Sequence, residues 1–535
     1  MPYLRVRTEA GDRRIPFTPG GTLRELLAGA GFPIRSGCAG VGACGLCLVR
    51  IEAGEVPPPT ENELRMLRPE QMRRGERLAC QVVPARGLTL AIDPAPLCPA
   101  WLSLPADAPG PPLPAPAERR AVAGGTSLGV AVDLGTTHIR LTLWDLAQGK
   151  RLSGRTGANP QALFGSDVMT RLTAACASRE DAAQLARLAR DAIGAALSDI
   201  AAREGCRLAE IGRVAIVGNS AMLALLAQRN YDLLLKPAYW TRAIDCRPEG
   251  TASWCSAWGI DPRAAVELLQ PLAGFVGSDL LAGVLATRLT GEPGGALLID
   301  FGTNSEIALW DGATLWVTSA AGGPAFEGCG ISCGMPAEPG AIYRIEAQRP
   351  APGFRCEVIG GGRAQGICGS GLVDIIALLR SAGVLNGAGS FSAEVDSRGV
   401  AIQEQGGLLL LNGRDIDGFQ RAKAAIGAGT RCLMQLSGLH LGQLKRVCVC
   451  GAFGRFLHVP NAQSIGLLPE VPAEGVELCG NSALAGCELL LFSRDISGTL
   501  AALAGRARTI NLAQAPGFEE LFVESLYLRP LRMDP

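Results

Sequence analysis

The sequence predicts two folded parts of different class: a small α+β part at the N terminus, and a larger α/β part made of two similar subdomains. Three observations predict this. Residues 1–93 alternate short strands and short helices around a loop that reads CAGVGACGLC at 38–47. Residues 94–125 are dense in proline, which disfavours a packed element and favours extended polyproline geometry. From Val130 onward, Ala/Leu-rich helices alternate with β-branched strands, and one strand–turn–strand pattern occurs twice.

The N-terminal elements follow in order. LRVRTE and RRIPFT read as strands joined by Ala10-Gly11-Asp12, and Thr22 caps a short helix in TLRELLAGAG. Beyond the Cys-rich loop come the strand LCLVRIE, a helix in TENELRML capped by Thr60, and strands near CQVVPA and LTLAI. The proline-rich stretch then serves as an interdomain linker. The repeated pattern is GVAVDLGTTHIRLTLWD (129–145) and ALLIDFGTNSEIALWDG (296–312). Each copy is an apolar strand ending in Asp, a turn with Gly two residues later followed by Thr, and a second strand ending in Leu-Trp-Asp. Two copies imply two similar subdomains facing each other. The helix across 171–204 is an amphipathic packing helix. The expected boundaries are 1–93, a linker at 94–125, a first subdomain at 126–210 and the main unit at 211–535.

Composition narrows the function. Lys+Arg and Asp+Glu both number 50 in 535 residues, so the net charge of zero supplies no basic surface for nucleic acid or an anionic membrane. No apolar run reaches the roughly 18 to 20 residues that cross a bilayer, and the opening residues lack a secretion pattern. A cytoplasmic location is expected. Eighteen Cys in such a chain point to reduced thiols and metal ligation rather than disulfides.

Cys38, Cys44 and Cys47 are spaced C-x5-C-x2-C, and Cys80 follows at a distance in RLACQ. Iron requires thiolate ligands, and Gly37, Gly40, Gly42 and Gly45 free the backbone to curl around the sulfurs and aim N–H groups at them. Zinc is the alternative, although structural zinc sites usually pair two C-x2-C units and only one is present. Spacing, fourth ligand and flanking strands resemble the adrenodoxin-like branch of the 2Fe-2S ferredoxins. That resemblance implies a β-grasp domain over 1–93, with Cys38, Cys44, Cys47 and Cys80 holding a 2Fe-2S cluster.

The two repeated hairpins suggest phosphate chemistry. Asp133 ends one strand before Gly135-Thr136-Thr137, and Asp300 ends the other before Gly302-Thr303-Asn304. Facing turns of this kind can cradle a triphosphate through N–H groups and Thr hydroxyls while the carboxylates hold Mg²⁺ and orient water. A single D-x-G-T turn is also an ordinary hairpin; two at the same phase of a repeat are the stronger signal. The pair resembles the phosphate motifs of the actin, sugar-kinase and heat-shock-chaperone ATPases. VCVCGAFGRF (447–456), with Gly451 and Gly454, resembles that superfamily's adenosine motif, and TSAAGGPAFEG (318–328) supplies Gly322, Gly323 and Glu327. The departures are His138 in the first turn and Ala452 in place of a second glycine. The resemblance implies ATP and Mg²⁺ as ligands and Asp133, Asp300 and Glu327 as catalytic residues.

A ferredoxin in front of such an ATPase, with GNSAML (218–223), AGGPAFEG (321–328) and GICGSGLVDI (366–375), resembles the reductive activators of corrinoid proteins. The resemblance implies ATP-dependent electron transfer from the 2Fe-2S cluster to Co(II) on a corrinoid protein of a methyltransferase system, with an upstream electron donor. Neither nucleic acid nor membrane is an expected partner, and a homodimer stays open. The alternatives are an activator of another low-potential enzyme, like those of the 2-hydroxyacyl-CoA dehydratases, and a small-molecule kinase with an appended ferredoxin. Of the remaining thiols, Cys329 and Cys333 flank the Gly-rich turn. Cys448 and Cys450 alternate on a strand as core residues would.

Overall fold

The computed structural model describes residues 2–531 apart from 9–10, 33, 35–39, 41, 43–44, 46, 68, 93–100, 105–110, 116–118, 121–125, 166, 323, 329, 349–352, 397, 404–408 and 452. Cys38, Cys44 and Gly323 therefore lie outside the described residues, as do Gly37, Cys329 and Ala452.

The N-terminal part is a five-stranded sheet in the order Gly11–Pro16, Tyr3–Thr8, Leu88–Ala91, Leu48–Ala53, Glu76–Leu78. Tyr3–Thr8 runs parallel to Leu88–Ala91, and the other pairs are antiparallel. Strand alternation sends Leu4, Val6, Leu88 and Leu90 to one face, where they bury Leu23 and Leu27 of the helix Leu23–Gly29. Thr22 and Thr60 both cap helices as the sequence predicts, each in a capping box with Glu25 or Glu63. Glu63 also pairs with buried Arg77 through two bonds of 2.7 and 2.8 Å and accepts the Leu78 N–H.

Two six-stranded sheets form the larger part. The first has the order Ala265–Leu268, Ile211–Gly218, Leu128–Leu134, His138–Asp145, Lys150–Ala158, Leu102–Ser103. The second has the order Val476–Gly480, Leu444–Gly451, Gly295–Phe301, Ser305–Trp310, Leu315–Ala320, Ala507–Thr509. In both, the strand that ends near the repeated Asp starts an antiparallel run, of four strands in the first sheet and three in the second, and has two parallel strands on its other side. The sequence repeat is thus a repeat of topology. A division between 210 and 211 falls inside the first sheet, because the crossover helix Arg179–Glu204 returns the chain to pair Ile211–Gly218 with Leu128–Leu134. The passage to the second sheet comes after the helix Ser278–Thr287.

The sheets meet through a shared core. Ala131, Trp144 and Val217 of the first and Leu298, Ala308 and Trp310 of the second pack with Leu280, Leu281, Leu484 and Leu490 from two helices, Ser278–Thr287 and Ser482–Phe492. The helices approach closely: a Cβ at Gly486 would lie 1.9 Å from the Ala282 carbonyl oxygen. Helix 482–492, which follows the second sheet's edge strand, thereby reaches the first sheet.

The proline-rich segment differs from a bare spacer. Leu102–Ser103 adds antiparallel to Lys150–Ala158, Trp101 is buried, and Leu113 packs on the core between the sheets. Farther on, Arg120 donates its N–H to the Phe492 carbonyl. The physical reason is that an extended chain keeps its N–H and C=O groups free to pair with an exposed sheet edge wherever proline is absent. Among the described residues no helix is long and apolar enough to cross a membrane.

Candidate functional site: thiols and an acidic cleft

Cys47 and Cys80 stand close together with their Sγ atoms 3.3 Å apart and both side chains buried. Gln81 holds the surrounding loop: its Nε2 donates to the Gly40 carbonyl at 3.2 Å and approaches the Cys80 sulfur at 3.5 Å. Gly42 has φ +81° and would place a Cβ 2.7 Å from Gln81, so the loop needs glycine there both for conformation and for space. Buried thiols held together beside a glycine-shaped loop suit metal–sulfur ligation.

The two hairpin turns face each other across the larger part. Thr137 Oγ1, from the first sheet, lies 2.9 Å from Thr303 Oγ1 of the second, and both hydroxyls donate to Glu327 Oε2 at 2.9 Å. Three residues separated widely in sequence thus share one point. The Glu327 turn is supported by edge-to-face contacts of Phe326 with Phe301 and Phe453. In the hairpins, a Cβ at Gly135 would meet the His138 carbonyl at 2.7 Å, and one at Gly302 the Asn304 carbonyl at 3.0 Å.

Close to the hairpins lies a cluster of acids only partly compensated by Arg140. Burial first, then Asp133, pushes the Asp300 carboxyl up to about 7. Burial, Asp133 and Asp300 likewise push Asp279 up to about 7, and burial with Asp279 and Asp300 raises Glu306 well above the ordinary range. Arg140 reaches Asp133 at 3.6 Å and counters Asp300 only in part. These neighbouring carboxyls concentrate negative charge that a divalent cation would offset. Gly451 adjoins them: at φ +77°, its missing Cβ would lie 2.4 Å from Asp300 Oδ1. The structure therefore brings Asp133, Gly135, Thr136, Thr137, Asp300, Gly302, Thr303, Asn304, Gly322, Glu327 and Gly451 to one cleft. Gly454, three residues past the strand end, accepts the Gly480 N–H.

Sequence reasoning missed three members. Asn219 caps the helix Ser220–Ala227 with its carbonyl and donates from Nδ2 to Thr136 Oγ1 at 2.8 Å. Asn481 caps Ser482–Phe492 and donates to Asp133 Oδ2 at 2.7 Å. Asp279 stands in the first turn of the helix Ser278–Thr287. A signal was present: Gly-Asn-Ser-Ala occurs at 218–221 and again at 480–483. Three helix N termini consequently open on the cleft and supply partial positive charge to anions. Nearby Arg171 is fully buried, and its Nη2 has no hydrogen-bond partner among the described residues. Burial lowers its guanidinium to about 9 although Asp167 and Glu327 act against that.

Fold and site together define a class: an actin-like ATPase joined to a 2Fe-2S ferredoxin domain. Residues 295–535 match the family described as the C-terminal domain of RACo, the ASKHA domain; 128–292 match the RACo middle region; and 7–85 match the 2Fe-2S iron-sulfur cluster binding domain. The chain is 30% identical over 419 residues to the corrinoid activation enzyme RamQ of Eubacterium limosum, covering 74% of this chain and 69% of that one. It is 27% identical over 405 residues to the [Co(II) methylated amine-specific corrinoid protein] reductase of Methanosarcina barkeri, covering 69% and 70%. Among solved structures, a reductive activator for corrinoid, iron-sulfur protein superposes with a TM-score of 0.69 at 25% identity, covering 99% of both chains. The chain belongs to the family of corrinoid-protein reductive activators, and it carries a 2Fe-2S cluster-binding domain and an ATP-binding domain.

Proposed function

We propose that this chain couples ATP hydrolysis to one-electron reduction of Co(II) to Co(I) on a corrinoid protein of a methyltransferase system in the cytoplasm. The observation that carries the proposal is the presence, in one chain, of the thiol pair Cys47/Cys80 and the acidic two-hairpin cleft. A bound 2Fe-2S cluster supplies single-electron transfer. An electron from an upstream donor enters and leaves through the N-terminal domain, where Cys38, Cys44, Cys47 and Cys80 are the ligands.

Energy is needed because Co(II)/Co(I) lies at very low potential, and each deficit of about 59 mV lowers a one-electron equilibrium constant tenfold. ATP binding and hydrolysis offset the deficit by favouring a state of the complex in which cobalt is easier to reduce. Asp133, Asp300 and Asp279 hold Mg²⁺. Thr136, Thr137 and Thr303, with the N–H groups of Gly302 and Asn304, bind phosphate oxygens, while Gly135 closes the first hairpin by donating its N–H to the His138 carbonyl, and Gly322 and Gly323 precede the Glu327 turn in sequence. Glu327 orients the attacking water, and Gly451 and Gly454 border the nucleoside. Asn219 and Asn481 are positioning residues for Thr136 and Asp133. A homodimer is compatible with this scheme.

The test mixes a Co(II) corrinoid protein with the chain, a strong chemical reductant and MgATP under anaerobic conditions. The Co(I) absorption band is expected with ATP and not with a non-hydrolysable analogue. Equal Co(I) formation without nucleotide refutes coupling. Phosphorylation of a small alcohol, or activation of a dehydratase in place of the corrinoid protein, would support the kinase or dehydratase-activator reading instead.

A further inference from the structure

A second group of thiols meets at the edge of the second sheet. Cys448 and Cys450 lie on Leu444–Gly451, and Glu477 and Cys479 on Val476–Gly480, the sheet's outermost strand on that side. The strands run parallel with Cys448 opposite Glu477 and Cys450 opposite Gly480, the register shifting after Val449. Residues two apart on a strand share a face, so the shift sets Cys479 between the two cysteines of the inner strand. One ligand atom from each of Cys448, Glu477 and Cys479 lies within 4.8 Å of the others. Cys450, the next residue on that face of the inner strand, also adjoins the Cys479 sulfur.

Packing as small hydrophobes explains Cys448 and Cys450, which are fully buried. It does not explain Cys479, which is partly open to solvent on an edge strand beside those thiols. Glu477 is held in place by Arg446 through bonds of 2.9 and 2.7 Å, and Arg446 is itself anchored on the Thr287 carbonyl at 2.7 Å. We propose that Cys448, Cys479 and Glu477 form a binding site for one thiophilic divalent cation such as Zn²⁺, with the Cys450 sulfur, two residues along the inner strand, as fourth ligand. Three sulfurs and one oxygen match the tetrahedral preference of zinc, at about 2.3 Å for sulfur and about 2.0 to 2.2 Å for oxygen. Binding releases the thiol protons of the ligating cysteines to solvent, and Arg446 offsets part of the resulting negative charge. The site is separate from the thiols of the ferredoxin part. Through Cys450 it adjoins Gly451, which contacts Asp300, so an ion there would brace the wall of the nucleotide cleft.

The experiment loads the full chain, holding its 2Fe-2S cluster, with two equivalents of zinc sulfate under anaerobic conditions and then desalts it. The expected result is about one zinc per chain, three sulfurs at about 2.3 Å by zinc-edge X-ray absorption, and at least tenfold slower alkylation of Cys479 by iodoacetamide. Cys479→Ser is expected to keep less than a tenth of the zinc with the visible spectrum of the cluster unchanged. Should that variant misfold, the alkylation rate of the unaltered chain decides. Zinc lost on desalting overturns the proposal. So does zinc retained equally by Cys479→Ser in a four-sulfur shell, or a disulfide joining Cys479 to Cys448 or Cys450 with no metal uptake.

Discussion

Replacing Asp300 by Asn should make the nucleotide-free chain more stable and its ATP hydrolysis nearly nil. Asp300 has its carboxyl raised from 3.8 to about 7 by burial and by Asp133. That is a shift of about 3 pH units, and at about 1.4 kcal/mol per unit it corresponds to about 4 kcal/mol. The folded value lies above the unfolded one, so the folded chain binds the proton more tightly. Destabilisation therefore begins as pH rises past about 4 and is complete above about 7. Asn keeps the shape without the charge and also relieves Asp279, whose carboxyl Asp300 helps to raise. A gain of about 2 to 4 kcal/mol at pH 8 corresponds to about 4 to 8 °C in Tm, taking about 2 °C per kcal/mol for a large unit. Scanning calorimetry without nucleotide or divalent cation measures it, and the gain should fall to less than half at pH 5. Turnover is measured separately with MgATP. A variant that is less stable than the parent at pH 8, a gain that ignores pH, or unchanged turnover would refute the reasoning.

Cys47→Ser or Cys80→Ser should abolish the visible absorption and most of the bound iron while leaving ATP hydrolysis intact; iron analysis and a phosphate-release assay check both halves. Glu63→Ala leaves the Arg77 guanidinium buried without its partner, and calorimetry should show the N-terminal transition destabilised by about 3 to 5 kcal/mol. Burial alone would raise the Glu63 carboxyl, but Arg77, Thr60 and Leu78 hold it below its ordinary value. The resulting stability is present at neutral pH and is lost as acid takes the pH down through that lowered value, so the cluster absorbance should bleach at lower pH in the parent than in an unpaired variant. Cutting the chain within 94–100 and mixing the fragments at micromolar concentration should slow Co(I) formation at least about tenfold through lost effective concentration. Equal rates for cut and intact chains would show the covalent connection to be dispensable.

The parts of this protein that were legible in its sequence are those in which local chemistry and period agree. Thr22 and Thr60 stand three residues before Glu, which specifies a capping box whatever packs above it. The two Asp-x-Gly-Thr turns repeat with their flanking strands, so topology and site came together. Asp279 was not legible, because a single acid in the first turn of a helix usually serves the helix dipole. Its proximity to Asp133 and Asp300 is created by three-dimensional contact alone. Asn219 and Asn481 also look like ordinary caps, and only the recurrence of Gly-Asn-Ser-Ala hints at more. Cys479 was overlooked for a related reason. It lies far in sequence from Cys448 and Cys450, and a parallel strand pair with a register shift unites them.

The helix Ser482–Phe492 bears most directly on how the two activities could be joined. At its start Asn481 grips Asp133, and at its end the Phe492 carbonyl accepts the Arg120 N–H while the Arg119 guanidinium lies 5.4 Å from the Phe492 ring. Eleven residues of helix span about 16 Å at about 1.5 Å each. One stiff element thus runs from a carboxylate of the cleft to the segment that leads back toward the ferredoxin domain. Thr137, Thr303 and Glu327 meet directly across the cleft. A displacement of the first hairpin that carried Asp133 with it would pass through Asn481 and along the helix to Phe492 and the Arg119–Arg120 anchor. A proline-rich tether docked at that anchor is therefore placed where nucleotide state can alter its attachment, which a spacer free along its whole length would not be.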